Sequence, residues 1–182
     1  MMSFQVEFTR DVLRSLIGQS LREVSYLYSG GSTPPDDAGR LHEVPYGLRL
    51  VTSRSVPTTL TWLMEDECEA LVAVEGSGED VGITDLIEAH DVSASTGWRP
   101  LLGPVITKAG MSWHRAVPEC PPTPWACRLE FGSSGAFVAV LAETRGETLQ
   151  YQPDNVAVLF ERRDAEALHW SGSDHSAWGG DI

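Results

Sequence analysis

Arg14-Ser15-Leu16-Ile17-Gly18 recurs as Arg99-Pro100-Leu101-Leu102-Gly103, 85 residues later. At the same offset Leu21 falls on Ile106, Leu71 on Val156 and Ala73 on Val158. Between these points Leu48-Arg49-Leu50 answers Cys127-Arg128-Leu129 at a spacing of 79, and the run Thr59 to Met64 answers Ala136 to Leu141 at 77. Offsets that drift by a few residues are what insertions and deletions in loops between equivalent strands produce. A five-residue match of common residue types is weak alone. The shared order, a turn followed by four apolar runs, is what constrains the fold, because repeated units present similar faces for burial.

Local patterns fill in the units. Thr9 to Ile17 reads as a short helix, with Thr9 as cap, Val12, Leu13, Leu16 and Ile17 on one face, and Gly18 at the left-handed stop. Leu21–Tyr28, Gly47–Ser53, Thr58–Met64 and Glu69–Glu75 read as strands, the last three joined by turns at Val56-Pro57 and Glu65-Asp66-Glu67. Ser29 to Asp37 is a loop, and Ile83 to His90 is a short helix or a strand running into Val92. In the second half Val105–His114 reads as one strand or two short ones broken at Gly110, and Cys127–Phe131, Ala136–Ala142 and Val156–Phe160 are strands. Pro118 to Pro124 is a stiff connector, Gly132-Ser133-Ser134-Gly135 a hairpin turn, and Asp164 to Leu168 a single helical turn. The expected fold is mainly β, at the margin of α+β: two similar antiparallel β units in tandem, packed as a sandwich or a pair of half-barrels, with one or two short helices. The expected divisions are 1–95, 96–170 and a flexible tail over 171–182.

Charge is distributed unevenly. The chain of 182 residues carries a net charge of −13, yet from Ser55 to Trp98 it has no Lys or Arg and ten Asp or Glu, leaving 16 acids against 13 bases elsewhere. A concentrated negative field repels nucleic acid and anionic membrane and attracts basic proteins, whose encounter it steers. It also serves plain solubility. No stretch approaches a bilayer span, and the N-terminus lacks the pattern of a secretory signal. Twelve Arg against the single Lys108 fit a GC-rich bacterial genome. Three cysteines without tight spacing predict a reduced, cytoplasmic protein, with closure of a small loop by Cys120 and Cys127 as the minor alternative.

Catalytic patterns are weak. Gly132-Ser133-Ser134-Gly135 lies between strands, unlike a nucleophile elbow, and Gly76-Ser77-Gly78 lacks the Lys-Ser/Thr of a phosphate loop. Glu88, His90 and Asp91, or His114, Cys120 and Cys127, match no metal-ligand spacing. Glu65, Asp66, Glu67 and Glu69 suggest a pair of glycosidase carboxylates, but four acids at one turn repel and stay solvated. No cofactor, metal or nucleotide is therefore expected. Six tryptophans are present; Trp62 and Trp113 read as core, while Trp125 and Trp178 read as exposed. Exposed aromatics beside acids make a protein-binding surface, the aromatic anchoring and the acids steering. The expected function is a non-catalytic acidic protein-binding module, of the immunity or inhibitor type, that docks a basic partner through Glu65, Asp66, Glu67, Glu69, Glu79, Asp80 and Trp125. A small-molecule binder or enzyme with a site assembled only in space, and a structural or assembly subunit, are the alternatives.

Overall fold

A computed structural model describes residues 2–34, 41–146 and 148–182. The first half contains α1 (Met2–Leu16), β1 (Leu21–Ser29), β2 (Leu41–Val44), β3 (Leu48–Thr52), β4 (Pro57–Glu65), β5 (Cys68–Glu75) and β6 (Ile87–Asp91). The second contains β7 (Lys108–His114), β8 (Thr123–Glu130), β9 (Ala136–Arg145), β10 (Thr148–Leu159), α2 (Arg162–Ala167) and β11 (Gly180–Asp181). The strands form two antiparallel sheets, ordered β5-β4-β3-β1-β6 and β11-β7-β8-β9-β10-β2. The chain is mainly β and is built of two similar antiparallel units.

The likeness extends to residue register. In each unit a strand is followed by a three-strand meander, and a last strand returns to the first strand's other edge: β6 beside β1, and β11 beside β7. Ser25 faces Arg49 across β1–β3, and Gly110 faces Arg128 across β7–β8, which reproduces the offsets of 85 and 79. Leu60 faces Ala73 as Ala139 faces Val158, which again gives 85 for the fourth strand. The third strand differs from expectation. Leu48 faces Leu60 and Cys127 faces Ala139, so β4 and β9 correspond at 79 rather than 77. A slip of two residues leaves every side chain on its original face, so hydrophobic alternation cannot detect it.

The units meet reciprocally. α1 ends before Gly18 (φ 86°), and a 3-10 turn at Arg99–Leu101 is followed closely by Gly103 (φ 96°). Both glycines hold the left-handed conformation that ends such turns. The Gly18 N–H donates to the Ile106 carbonyl at 2.8 Å, and the Gly103 N–H to the Leu21 carbonyl at 2.9 Å. Exchanging the halves at the offset of 85 converts one bond into the other. Arg49 donates to the Ser77 carbonyl at 2.9 Å and Arg128 to the Trp178 carbonyl at 2.8 Å, each reaching the segment that leads to its unit's return strand.

A common core spans both sheets and includes Leu13, Leu21, Leu48, Leu60, Trp98, Trp125, Phe137 and Val158. A smaller cluster of Ala70, Val72, Val74 and Val81, with Leu63 packed on it, lies apart from that core. β2 crosses the units: it belongs to the first half in sequence but pairs with β10.

Several expectations need correction. Thr9 does not cap α1, which begins earlier; its hydroxyl accepts the Ala73 N–H of β5 at 3.0 Å. Of the two alternatives for 83–90 the strand holds for its second half, since β6 begins at Ile87, while 83–86 are loop and turn. β8 begins inside the proline connector, and Pro124 is accommodated where the β7–β8 register shifts between Ser112 and Trp113. Residues 171–182 are not a frayed tail, because β11 pairs with β7, Ala177 is buried, and Arg128 binds the Trp178 carbonyl and Asp181. Trp62 and Trp113 are only partly buried against the core. Of the expected loop over 29–37, Ser29 ends β1, while Pro35, Asp36 and Asp37 lie outside the described residues.

Candidate functional site

The seven residues proposed from sequence divide into two environments. Glu65, Asp66 and Glu67 are exposed at the β4–β5 turn, and Glu79 and Asp80 are exposed in a 3-10 turn at Glu79–Val81. Glu69 and Trp125 are buried, at 7% and 0% exposure, and this corrects the reading of a solvated acid and an exposed aromatic. The cause is a turn of only two residues. Glu65 pairs with Cys68, so the chain is already in β5 at Glu69. Asp66 takes a φ of 56°, the left-handed conformation that Asp tolerates better than most residues. Trp125 lies within β8, and its indole N–H donates to Ser112 Oγ at 2.9 Å.

Glu69 belongs to a buried polar seam between the sheets. The Tyr151 hydroxyl of β10 donates to its carboxylate in a short hydrogen bond. Its carbonyl accepts from Thr123 Oγ1 at 2.6 Å and from His114 Nε2 at 3.1 Å. A carbonyl only accepts, so the proton of neutral His114 sits on Nε2. Tyr151 stacks on Trp170 with centroids 4.0 Å apart, and the His114 ring lies 5.3 Å from Trp170 and 5.5 Å from Tyr151. Burial holds His114 down at about 4, and burial followed by the neighbouring Glu69 carboxylate pushes the Tyr151 phenol well above its ordinary range. At neutral pH His114 is uncharged and Tyr151 is a donor. The seam joins β5 to the second sheet through the bonds that Thr123, His114 and Tyr151 make to Glu69, while His114 Nδ1 and the Trp170 indole N–H are buried without a hydrogen-bond partner among the described residues.

A disulfide lies beside the seam. Cys68, adjacent to Glu69, is bridged to Cys120, which corrects both the Cys120–Cys127 alternative and the expectation of three reduced thiols. The partners lie 52 residues apart, and only the packing of β5 against β8 brings them together. Cys127 is buried in β8, and burial pushes its thiol up to about 12, so it is a packing residue rather than a nucleophile or ligand. His114, Cys120 and Cys127 therefore do not form a ligand set, and among the described residues no three His, Cys, Asp or Glu converge. A depression of about 280 Å³ lies elsewhere, lined by Arg10, Arg14, Trp113 and His175 among others.

The seam makes stability depend on pH. The unfolded chain protonates its histidine near pH 6.5, whereas folded His114 resists protonation down to about 4. Its contribution is fully present above pH 6.5 and is lost as pH falls toward 4, by up to roughly 3 kcal/mol. His114→Gln keeps a donor for the Glu69 carbonyl and removes the titration. Urea unfolding between pH 7 and 4 should show a shallower loss for H114Q than for the parent chain; equal slopes would refute the assignment.

No protein-family model matches the chain, and neither a curated protein nor a solved structure matches it. Among the described residues no helix is long and apolar enough to cross a membrane.

Proposed function

We propose that the chain is a non-catalytic binding protein of the inhibitor or immunity type, whose acidic first sheet docks a basic protein partner. The observation that carries this reading is uncompensated surface charge. Nine of the ten acids in the window from Ser55 to Trp98 are exposed, Glu69 being the exception. Among the described residues none of them is ion-paired with a Lys or Arg, and the His90 ring lies 3.7 Å from Glu88. Such a surface favours basic proteins and disfavours phosphate backbones and anionic lipid. Enclosure of Glu69 and Trp125 removes them from the docking set, leaving Glu65, Asp66, Glu67, Glu79 and Asp80. The Cys68–Cys120 bridge weighs against the reducing cytoplasm expected from the cysteine count and favours an oxidising compartment.

The test is the triple variant E65S/D66S/E67S against a partner captured by cross-linking from the native host. Glu69 is kept, because its removal would strand the Tyr151 hydroxyl. Association should slow by about tenfold or more at low ionic strength, converge with the parent rate at high salt, and leave the urea midpoint unchanged. An unchanged association rate at low salt would reduce the acids to a solubility feature.

A further inference from the structure

The two sheets end at β5, β6, β11 and β2. α1 packs on β5, where Thr9 accepts the Ala73 N–H. β11 has two residues, and β2 is partly or wholly buried along its length. β6 differs: it has five residues, with Glu88, Ala89 and Asp91 exposed, and among the described residues no strand lies beyond it.

The hydrogen-bond parity of β6 is fixed. The Val92 N–H donates to Val24 at 2.9 Å and the Gly30 N–H to Leu86 at 3.1 Å, while His90 faces Tyr26 and Glu88 faces Tyr28. Even-numbered residues thus direct their backbone groups toward β1, and Ala89 and Asp91 direct theirs outward. Leu86, immediately before the strand, is 78% exposed. Natural edges are commonly blunted by charged side chains, Pro or bulges; β6 has no Pro and no bulge, and its charged side chains Glu88 and Asp91 are both acidic, so they guard it against neutral and acidic strands but not against basic ones. Its acids select the occupant. A second copy paired antiparallel about Ala89 would set Glu88 opposite His90 and Asp91 opposite Ile87 and so offers neither acid a Lys or Arg, whereas a basic strand meets opposite charge.

We propose that a basic partner docks by laying an extended segment against the outer edge of β6, where it adds a strand to the first sheet. The segment bonds the outward amides and carbonyls of Ala89 and Asp91, sets Lys or Arg near Glu88, and covers Leu86 with an apolar side chain. This rests on the acidic-docking reading above and goes beyond it, since β6 lies at the opposite edge of the sheet from the Glu65–Glu67 turn and adds a contact outside that docking set.

The probe is a blocked octapeptide of alternating Lys and Val, titrated at low ionic strength. Amide exchange at Ala89 and Asp91 should slow by about tenfold at saturation, because those N–H groups enter a ladder. A89P removes the outward donor while sparing the bonds to β1, and should weaken binding by about tenfold, whereas A89S should change it little. Intact exchange protection in β1 shows that A89P is folded. Binding without slowed exchange at Ala89 and Asp91, abolished instead by E65S/D66S/E67S, would overturn the edge and leave the broader reading standing. No binding of the peptide would also overturn the edge, and the captured partner's rate with the triple variant would then decide the broader reading.

Discussion

Replacing Cys68 and Cys120 together by Ser should lower the free energy of unfolding by about 4 kcal/mol, the chain-entropy value for a loop of this length. The bridge closes a loop across 52 residues of sequence and ties the start of β5 to the connector that leads into β8. Cutting it releases the denatured chain more than it disturbs the native one, since Cys120 is packed at 2% exposure and Ser is nearly isosteric. The urea midpoint should fall and the m-value should rise as the unfolded ensemble expands. A reductant should bring the parent chain to the same midpoint. Thiol titration of the denatured parent should find one reactive group, Cys127, and three after reduction. Three thiols without reductant, or an unchanged midpoint in the double variant, would exclude the bridge.

Trp98→Ala should cost about 3–5 kcal/mol, the range for removing a large buried aromatic. Trp98 is fully buried, with its ring edge-on to Phe137 at 4.7 Å, Phe160 at 5.0 Å and Tyr26 at 6.3 Å. Tyr26 belongs to the first sheet and Phe137 to the second, so the indole fills the space where the two sheets close on each other. Its N–H donates to the Tyr26 hydroxyl at 2.7 Å, and that hydroxyl also meets His42 Nδ1 at 2.5 Å. Alanine leaves a cavity and removes one member of this chain, whereas Trp98→Phe retains much of the volume and should cost less than half as much. Urea unfolding of both variants checks the ranking. Equal costs for Ala and Phe would place the energy in the hydrogen bond rather than in the packing.

Much of the fold follows from local signals. The apolar spacing of Val12, Leu13 and Leu16 and the stop at Gly18 define the inner turns of α1, alternation defines β3, and β-prone apolar runs define β4 and β9 within a few residues. The recurrence around Gly18 and Gly103, with Arg49 and Arg128, marks positions that occupy equivalent places in the two units. These features are readable because periodicity and turn chemistry act over a few residues of chain. The exposed acids of the candidate surface were legible for the same reason: turns are polar, and a base-free window is a property of the sequence.

Other features depend on contacts between distant segments. Glu69 is enclosed because a two-residue turn puts it into the strand, and its partner Tyr151 is 82 residues away in sequence. Trp125 follows prolines that suggest a loop, yet its strand begins among them. The joining of β2 to the second sheet, the return of β11 to β7, the pairing of Cys68 with Cys120 and the open edge of β6 carry no local signature. By itself the sequence determined the longer strands, which of their faces are apolar and where the charge lies, but not the short strands β2 and β11. Tertiary structure alone decided which strands are neighbours, which cysteines meet and which acid is enclosed, because these outcomes turn on how two sheets close over one core, and two-residue shifts in register leave the apolar pattern unchanged.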